Sequence, residues 1–426
     1  MIVGPESASI PLPKLAYAFE PTSFAILALY EAASGLCELL WVVDASRPEV
    51  HELSRLLARL GTIVDIAGCS RDEAAAMIAG HEPQGILALA DDALCLTADL
   101  AERLGLAFHT PACAHRLTDK HAQRRALAAG GLVVPRSWVI ALDVTDGELV
   151  ALGEEVRYPA VLKPRRGEAS RDTLPVASPG ELGAHLAALR MQSPPTREFV
   201  LEEFIPDATG TPGGEGFAGY VSVESFVAER QVCHVAVTGR MPPAFPFRET
   251  GFFIPSALDA SLQDEVLGTA TAAATALGVE LGCLHTEIKL TDDGPVVIEV
   301  NGRIGGGVPE LLAAVTDVRF LTVAMRLALG DSVPCEGLRP CERLAFLFYV
   351  HAPQDVRVVT ALEGVDELRH VPGVDEVVLR RGPGQTIDWR EGNHGHVLSV
   401  FGTTDDHDGL RWVNDQVATT LRITGS

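Results

Sequence analysis

The stretch that most constrains this chain runs from Cys283 to Pro309, CLHTEIKLTDDGPVVIEVNGRIGGGVP. Leu284 to Leu290 alternates apolar and polar residues. Thr291-Asp292-Asp293-Gly294 carries turn chemistry, and Pro295 to Val300 is extended again, so an antiparallel hairpin is predicted. With the pairing centred on Asp293, Glu287 faces Glu299 and His285 faces Asn301. Residues two apart share a face. His285, Glu287, Glu299 and Asn301 therefore project one way, while Leu284, Ile288, Ile298 and Val300 cover the other. Opposed Cβ atoms lie roughly 5 Å apart, and two carboxylates that close repel unless one is protonated or a cation lies between them. An amide beside two carboxylates is hard-oxygen chemistry suited to Mg²⁺ or Mn²⁺. On hairpin geometry alone a solvated acidic face is an equal reading. Arg303 and Gly305-Gly306-Gly307 follow at once. An arginine fork for carboxylate or phosphate and a backbone that a ligand can approach tilt the balance to a ligand site.

At 426 residues the chain exceeds one ordinary core, and two to four domains are expected. Apolar residues make up 47% and aromatics 6%, the profile of a soluble, helix-containing α/β protein. The balance of 34 basic against 57 acidic residues gives −23, with no basic patch, which argues against a nucleic-acid partner. The eight cysteines are scattered without a CxxC pair and are read as buried thiols in a reducing compartment. MIVGPESASIPLPK lacks a basic start and a continuous apolar core, so no leader is expected. The apolar stretch Ser23 to Val43 is broken by Glu31, Gly35 and Glu38 and falls short of a membrane span. A cytoplasmic protein is expected.

Apolar strands near Leu15–Phe19, Leu39–Asp44, Thr62–Asp65 and Gly85–Leu89 alternate with helices, which implies an open parallel sheet in residues 1–112. No GxGxxG follows the first strand, so a dinucleotide site there is not expected. In 113–198, Asp119 caps a helix reaching about Ala129. Tyr158 to Pro164 is a strand delivering Lys163 to the loop Arg165–Asp172. That loop, with Gly167, Ser170 and three arginines, suits a phosphate cradle or an exposed basic turn equally. In 199–334 come a strand ending in Glu202-Glu203, a glycine-rich segment Asp207–Gly219, two strands and the Pro- and Phe-rich loop Arg240–Pro255. An alanine-rich helix closed by Gly278 precedes the hairpin. Residues 335–426 change character and read as a small α+β end domain, with His394-Gly395-His396 as a turn.

The order of these parts resembles the ATP-grasp superfamily. It is carried by Lys120 before a helix, Tyr158-Pro159…Lys163-Pro164, Val200-Leu201-Glu202-Glu203-Phe204-Ile205 and Glu287…Glu299-Val300-Asn301. His285-Thr286-Glu287, Asn301-Gly302-Arg303-Ile304-Gly305-Gly306-Gly307 and Pro309-Glu310-Leu311 are similar to carboxylate–amine ligases of the L-amino acid ligase and carnosine-synthase type. The resemblance implies a multidomain α/β and α+β protein. It has an open parallel α/β pre-ATP-grasp domain, a two-lobed grasp and a small C-terminal α+β domain. It implies ATP with Mg²⁺ or Mn²⁺, and an acylphosphate that an amine attacks with release of ADP and phosphate. The substrates would be small molecules, the acid an amino acid, and dimers are common in the family.

Carried over by position, Lys120 and Lys163 would reach the nucleotide phosphates and Ser170 would sit in the phosphate loop. Glu202 and Phe204 would read adenine, Phe204 through its backbone. Glu287, Glu299 and Asn301 would hold the metal. Arg303, beside Gly305 and Gly306, would hold the substrate carboxylate and stabilise the tetrahedral adduct. Glu249 would grip an amino group and Arg240 would meet a phosphate. Two departures stand out. The phosphate loop reads Ser170-Arg171-Asp172 where the family has Ser-x-Gly, and the acidic residue for ribose falls near Gly219, leaving Glu215 or Glu224 in its place. Arg165–Asp172 and Asp207–Gly219 are the lid candidates. Phe245, Phe247, Phe252 and Phe253 suit a side-chain pocket or a core equally. A bicarbonate-activating ATP-grasp enzyme and a non-catalytic nucleotide-binding module are the competing readings.

Overall fold

The computed structural model describes residues 11–21, 24–192 and 196–426. Residues 1–10, read for a leader, and Ser23 lie outside the described residues. The chain divides into two compact units, Met1–Pro111 with Arg319–Pro334, and Ala112–Val318 with Cys335–Ser426. The division at 112, 198 and 334 stays our proposal for functional parts.

In the first unit, β1 (Lys14–Ala18), β2 (Glu38–Val43), β3 (Thr62–Asp65) and β4 (Gly85–Leu87) form a parallel sheet ordered β3-β2-β1-β4. Parallel neighbours need long crossovers, and helices Ile26–Ala33, Pro48–Leu60 and Arg71–Ala79 supply them. The third starts with a reciprocal cap between Ser70 and Glu73. Ala16, Val42, Val64, Ile78, Ile86 and Leu100 share one core. The helix Phe320–Ala328 returns to this unit, and a side chain at Gly85 would run into the Ala328 carbonyl.

The second unit holds two main sheets. β5 (Ser137–Ala141), β6 (Ala160–Pro164), β7 (Leu174–Val176) and β8 (Glu198–Glu203) pair antiparallel in the order β5-β8-β6-β7. The helix Pro179–Gln192 covers them with Leu182, Leu186 and Leu189, spaced to share one face. The larger sheet is antiparallel and runs β13-β12-β9-β10-β11-β14-β17-β16. Its strands are β9 (Tyr220–Ala228), β10 (Gln231–Arg240), β11 (Gly251–Ile254), β12 (Gly282–Thr291), β13 (Gly294–Asn301), β14 (Leu344–Val350), β16 (Val374–Leu379) and β17 (Leu398–Thr404). β15 (Val359–Glu363) and β18 (Arg422–Gly425) pair separately.

The residues from 335 onward do have α+β content, but β14, β16 and β17 continue the hairpin's own sheet, β14 bonding to β11 from Gly251↔Phe348 to Ile254↔Ala345. Phe253 and Phe346, both 0% exposed, share a core with Leu410 and Val413 of the last helix. Burying such a side chain stabilises by about 1.5–3 kcal/mol, which ties the C-terminal segment to the hairpin's sheet. Cys233 and Cys335 form a disulfide with Cα atoms 5.4 Å apart, which corrects the expectation of free thiols at that pair. Among the described residues Cys37, Cys69, Cys95, Cys113, Cys283 and Cys341 form no disulfide. Among the described residues no helix is long and apolar enough to cross a membrane.

Candidate active site

The hairpin forms as read, with one difference that decides its chemistry. Thr291 pairs with Gly294, so the turn is the two residues Asp292-Asp293 and its centre lies between them. Ile288 pairs with Val297, and the register then shifts so that Glu287 faces Glu299 and His285 faces Asn301. Ile298 is the extra residue of a β-bulge. Without it, Glu287 would face Ile298 and the two carboxylates would part. The bulge also corrects the assignment of the apolar face: Val297 is fully buried while Ile298 is only half-buried.

β13 is an edge strand, and its free backbone groups are met by the helix Lys120–Ala129. Lys120, Gln123, Arg124 and Leu127 lie on one helical face. Gln123 bonds both ways to the Val300 backbone, at 2.8 Å each. Arg124 donates to the Val297 carbonyl at 3.1 Å and to that of Ile298, the carbonyls around the bulge. Its other side forks onto Glu202 at 2.9 and 3.0 Å, and Lys163 Nζ reaches the same carboxylate at 2.8 Å. Burial works against the Glu202 charge, but the two cations win and hold its pKa at about 2. Burial pulls the Lys163 pKa down, with Glu202 opposing it.

Glu202 is thus engaged by two cations, Arg124 and Lys163. Sequence reasoning missed Gln123 and Arg124. The available signal was polar residues at the helical spacing of Lys120, opposite an edge strand. Lys120 Nζ sits 2.8 Å from Glu299 Oε1 and 2.6 Å from the Gly167 carbonyl. Asp119 caps the helix through the Ala122 N–H at 3.0 Å and pairs with Arg165 at 2.8 Å. Phe204 donates its N–H to the Pro159 carbonyl at 3.0 Å, and Lys289 Nζ lies 5.8 Å from its ring centre.

On the other flank of the hairpin lies a buried charged network. His285 Nδ1 is 2.9 Å from both oxygens of Glu224, a residue with 0% exposure that also accepts from Ser222 and Thr238. His285 Nε2 faces Arg240 Nη2 at 3.1 Å and Glu287 Oε1 at 3.5 Å. A guanidinium only donates, so a neutral ring accepts from Arg240, while a protonated one can donate towards Glu287. Burial opposes the ring's charge, yet Glu224 raises the His285 pKa. Glu224 itself is held low by His285, Ser222 and Arg240 against its burial. Glu287 is likewise held at about 2 by His285, Arg240 and Arg303 against burial. A Cβ at Gly305 would overlap the His285 ring, so only glycine fits there. Glu224 is enclosed in this network, which leaves Glu215, exposed on its loop, as the freer of the two acids considered for ribose.

Arg240 also pairs with Glu249, whose other oxygen accepts from Asn393 at 3.2 Å and whose N–H donates to the Asn393 amide oxygen at 2.8 Å. Phe252 lies against Arg240, the guanidinium 5.3 Å from its ring centre, while Phe253 is core and Phe245 is 65% exposed. The four phenylalanines therefore do not line one pocket.

Arg303 Nη2 meets Glu168, in the loop Arg165–Asp172 read above as a phosphate-loop candidate, at 3.1 Å. In that loop Ala169, Ser170 and Asp172 all have positive φ, +58°, +55° and +48°. Asp172 thus occupies a left-handed position that suits glycine, and Asp is among the few other residues that tolerate it. The loop is seated on the segment Trp389–Gly395: Asn393 donates its N–H to the Ala169 carbonyl at 2.8 Å, and Asp172 donates to that of Arg390 at 3.1 Å. Gly392 fits only without a side chain, which would strike the Ala169 carbonyl. The glycine-rich segment Asp207–Gly219 is tied to the hairpin turn, with Thr209 donating to Asp292 at 2.8 and 2.9 Å.

The structure thus brings Lys120, Glu299, Glu287, Asn301, His285 and Arg240 together around the hairpin. Among the described residues no group of three or more His, Cys, Asp or Glu side chains forms a metal cluster. A metal here would rest on Glu287, Glu299 and the Asn301 amide, an all-oxygen set with Glu287 held ionised, which fits a hard divalent cation.

Residues 156–310 match the model of the ATP-grasp domain family. An uncharacterised protein of Sinorhizobium fredii is 27% identical over 384 residues, covering 86% of this chain and 71% of its own length. The alanine–anticapsin ligase of Bacillus subtilis (strain 168) is 27% identical over 221 residues, covering 49% of this chain and 46% of the ligase, so the chain spans less than half of that relative. The crystal structure of an L-amino acid ligase from Bacillus licheniformis superposes with a TM-score of 0.75 at 20% identity, covering 98% of this chain and 100% of the other. Residues 156–310 are thus similar to the ATP-grasp domain family, and the chain as a whole shares the fold of the L-amino acid ligase structure.

Proposed function

We propose that this chain is an ATP-dependent ligase that joins a carboxylic acid, an amino acid, to an amine through an acylphosphate. The observation that carries the reading is the opposed pair Glu287–Glu299, with Lys120 on Glu299 and Arg303 just beyond the end of β13. The ligase names of relatives that share part of the chain support it.

A carboxylate is a poor electrophile, so one of its oxygens first takes the γ-phosphoryl group of ATP and ADP leaves. Phosphoryl transfer of this kind is catalysed by positioning and charge neutralisation. Lys120 and Lys163 bind the phosphates, with Ser170 and the loop backbone closing over them. Glu202 and Arg124 fix Lys163, and the Phe204 segment borders the base. Glu287, Glu299 and Asn301 would hold Mg²⁺ or Mn²⁺, which when bound offsets the charge of the triphosphate.

Arg303 orients the acid and stabilises the oxyanion when the amine attacks. In that second step the C–N bond forms, the C–O bond to phosphate breaks, and the amine proton passes to solvent or phosphate. Gly305 and Gly306 let the acid approach the backbone, Glu249 holds an amino group and Arg240 anchors Glu249. We further place the enzyme in the cytoplasm as a homodimer acting on small-molecule acids and amines.

The test is ADP and phosphate release with magnesium across pairs of amino acids, with product masses recorded. ADP should form only when acid and amine are both present. Glu299→Gln should remain folded and lose about 10²-fold or more in rate, the scale of deleting one preorganised electrostatic group. Release of AMP and pyrophosphate would sink the reading, and bicarbonate dependence without an organic acid would replace it with the carboxylating one.

A further inference from the structure

The loop between β10 and β11 buries a cation that the mechanism above does not use. Arg248 is 5% exposed, and its Nε donates to the Phe245 carbonyl at 3.0 Å. Among the described residues no carboxylate pairs with its guanidinium, and burial, with nothing opposing it, lowers its pKa. Arginine is almost never buried unless paired, because an uncompensated buried charge is costly.

Beside it stands a second incomplete group. His351 Nε2 lies 2.7 Å from the Glu249 carbonyl. A carbonyl only accepts, so Nε2 carries the proton and Nδ1 is a bare acceptor. Burial, then the charges of Arg248 and His396, push the His351 pKa down to about 3, so the ring is neutral at working pH. Its Nδ1 is buried and has no hydrogen-bond partner among the described residues. A cation without an anion and a lone pair without a donor are neighbours here. Both adjoin Glu249, whose carboxylate meets Arg240.

We propose that Arg248 and His351 form a subsite for a second substrate carboxylate, distinct from the one being activated, with Arg248 holding the anion and His351 Nδ1 accepting from a donor next to it. The inference rests on the ligase reading and narrows it. Activation removes the charge of the reacting carboxylate, which Arg303 serves. A second fixed cation therefore selects a carboxylate that survives the reaction. Two sources share that chemistry: the free carboxylate of an amino acid that supplies the amine, and the second carboxylate of a dicarboxylic acid substrate.

The test compares the full-length protein with Arg248→Gln and Arg248→Lys under saturating MgATP, following ADP release. One arm uses L-alanine against L-alaninamide as amine, the other glutamate against glutamine as acid. The source that fills the subsite should show a KM about tenfold or more higher in Arg248→Gln, the scale of a lost hydrogen-bonded charge. The kcat should be nearly unchanged, the uncharged analogue unaffected, and Arg248→Lys partly rescued. Loss of an uncompensated charge should leave the melting temperature of Arg248→Gln equal or higher, whereas a structural role would lower it. If no acid and amine pair releases ADP from the wild type, the ligase reading fails, and the subsite is judged by thermal shift with succinate against succinamide. Stabilisation by succinate that Arg248→Gln abolishes supports the subsite. The proposal is overturned if wild type and Arg248→Gln respond alike, or if neither the KM values nor succinate distinguish a carboxylate from its amide.

Discussion

The hairpin and the phosphate loop both border the proposed nucleotide site, yet they are held in different ways. β12 is paired on both sides, to β9 and to β13, and the free edge of β13 is bonded by Gln123 and Arg124. The phosphate loop has positive φ at Gly167, Ala169, Ser170 and Asp172. Two of its tertiary backbone bonds come from Arg390 and Asn393, far along the chain. The hairpin is over-determined, which suits residues that must meet developing charge without rearranging. The loop is conditional on a distant segment, which suits an element that opens to admit a nucleotide. Breaking the hairpin's supports should therefore cost global stability, and breaking the loop's should change local opening.

The largest expected effect follows from Arg124→Met. It leaves the buried Glu202 with Lys163 alone and strips donors from the Val297 and Ile298 carbonyls. Removing one partner of a buried ion pair costs about 3–5 kcal/mol, read as a lower urea midpoint. A loss under about 1 kcal/mol, the scale of an exposed pair, would show that the bulge does not depend on the helix. Glu224→Gln should act next, through pH. The raised His285 pKa contributes stability that is complete below the ring's ordinary value and fades as pH climbs through the raised one. The variant should lose that alkaline decline. Glu287, held at about 2, contributes stability above the ordinary carboxylate range that is lost as pH falls towards about 2. That acid limb should survive in part, because Arg240 and Arg303 still act on Glu287. An unchanged alkaline limb in Glu224→Gln would remove His285 from the account.

The same contrast explains what could be read from the sequence. The facing of Glu287 with Glu299 was legible because alternation and a short turn are local signals. It held because two departures cancelled: the turn centre lies half a residue off Asp293, and the Ile298 bulge restores the register. The bulge itself was not legible, since its carbonyls are met by Arg124 across the fold. The parallel sheet of the first unit was legible from its alternating strands and helices. The insertion of β14, β16 and β17 into the hairpin's sheet was not, because strand pairing over long separations leaves no local trace. Glu168 on Arg303 and Asn393 on Glu249 were hidden for the same reason.

On the loop side, Asn393→Ala removes the side-chain bonds to Glu249 but not the backbone bond to Ala169. Losing such bonds costs roughly 1–3 kcal/mol, spent here on local opening. Hydrogen exchange at the Asp172 amide should quicken while the β12 and β13 amides keep their wild-type rates. Equal acceleration in both places would erase the distinction between the two regions.

The smallest and most diagnostic change is Asp172→Gly. Asp172 sits at φ +48°, where most side chains are strained by roughly 1–2 kcal/mol and Asp by less. Glycine relieves that strain but loses more freedom on folding, at about 0.5–1 kcal/mol. The two terms nearly cancel, so the melting temperature should hardly move. The charge does not cancel. Burial raises the Asp172 pKa, against Arg171 and Arg390, so its carboxylate is poorly solvated as an anion within the loop proposed to close over phosphates. Removing it should tighten nucleotide binding by a few-fold in calorimetry at constant stability. A clear drop in melting temperature would mean that Asp172 holds the loop shut through its side chain, and the loop would then be as over-determined as the hairpin.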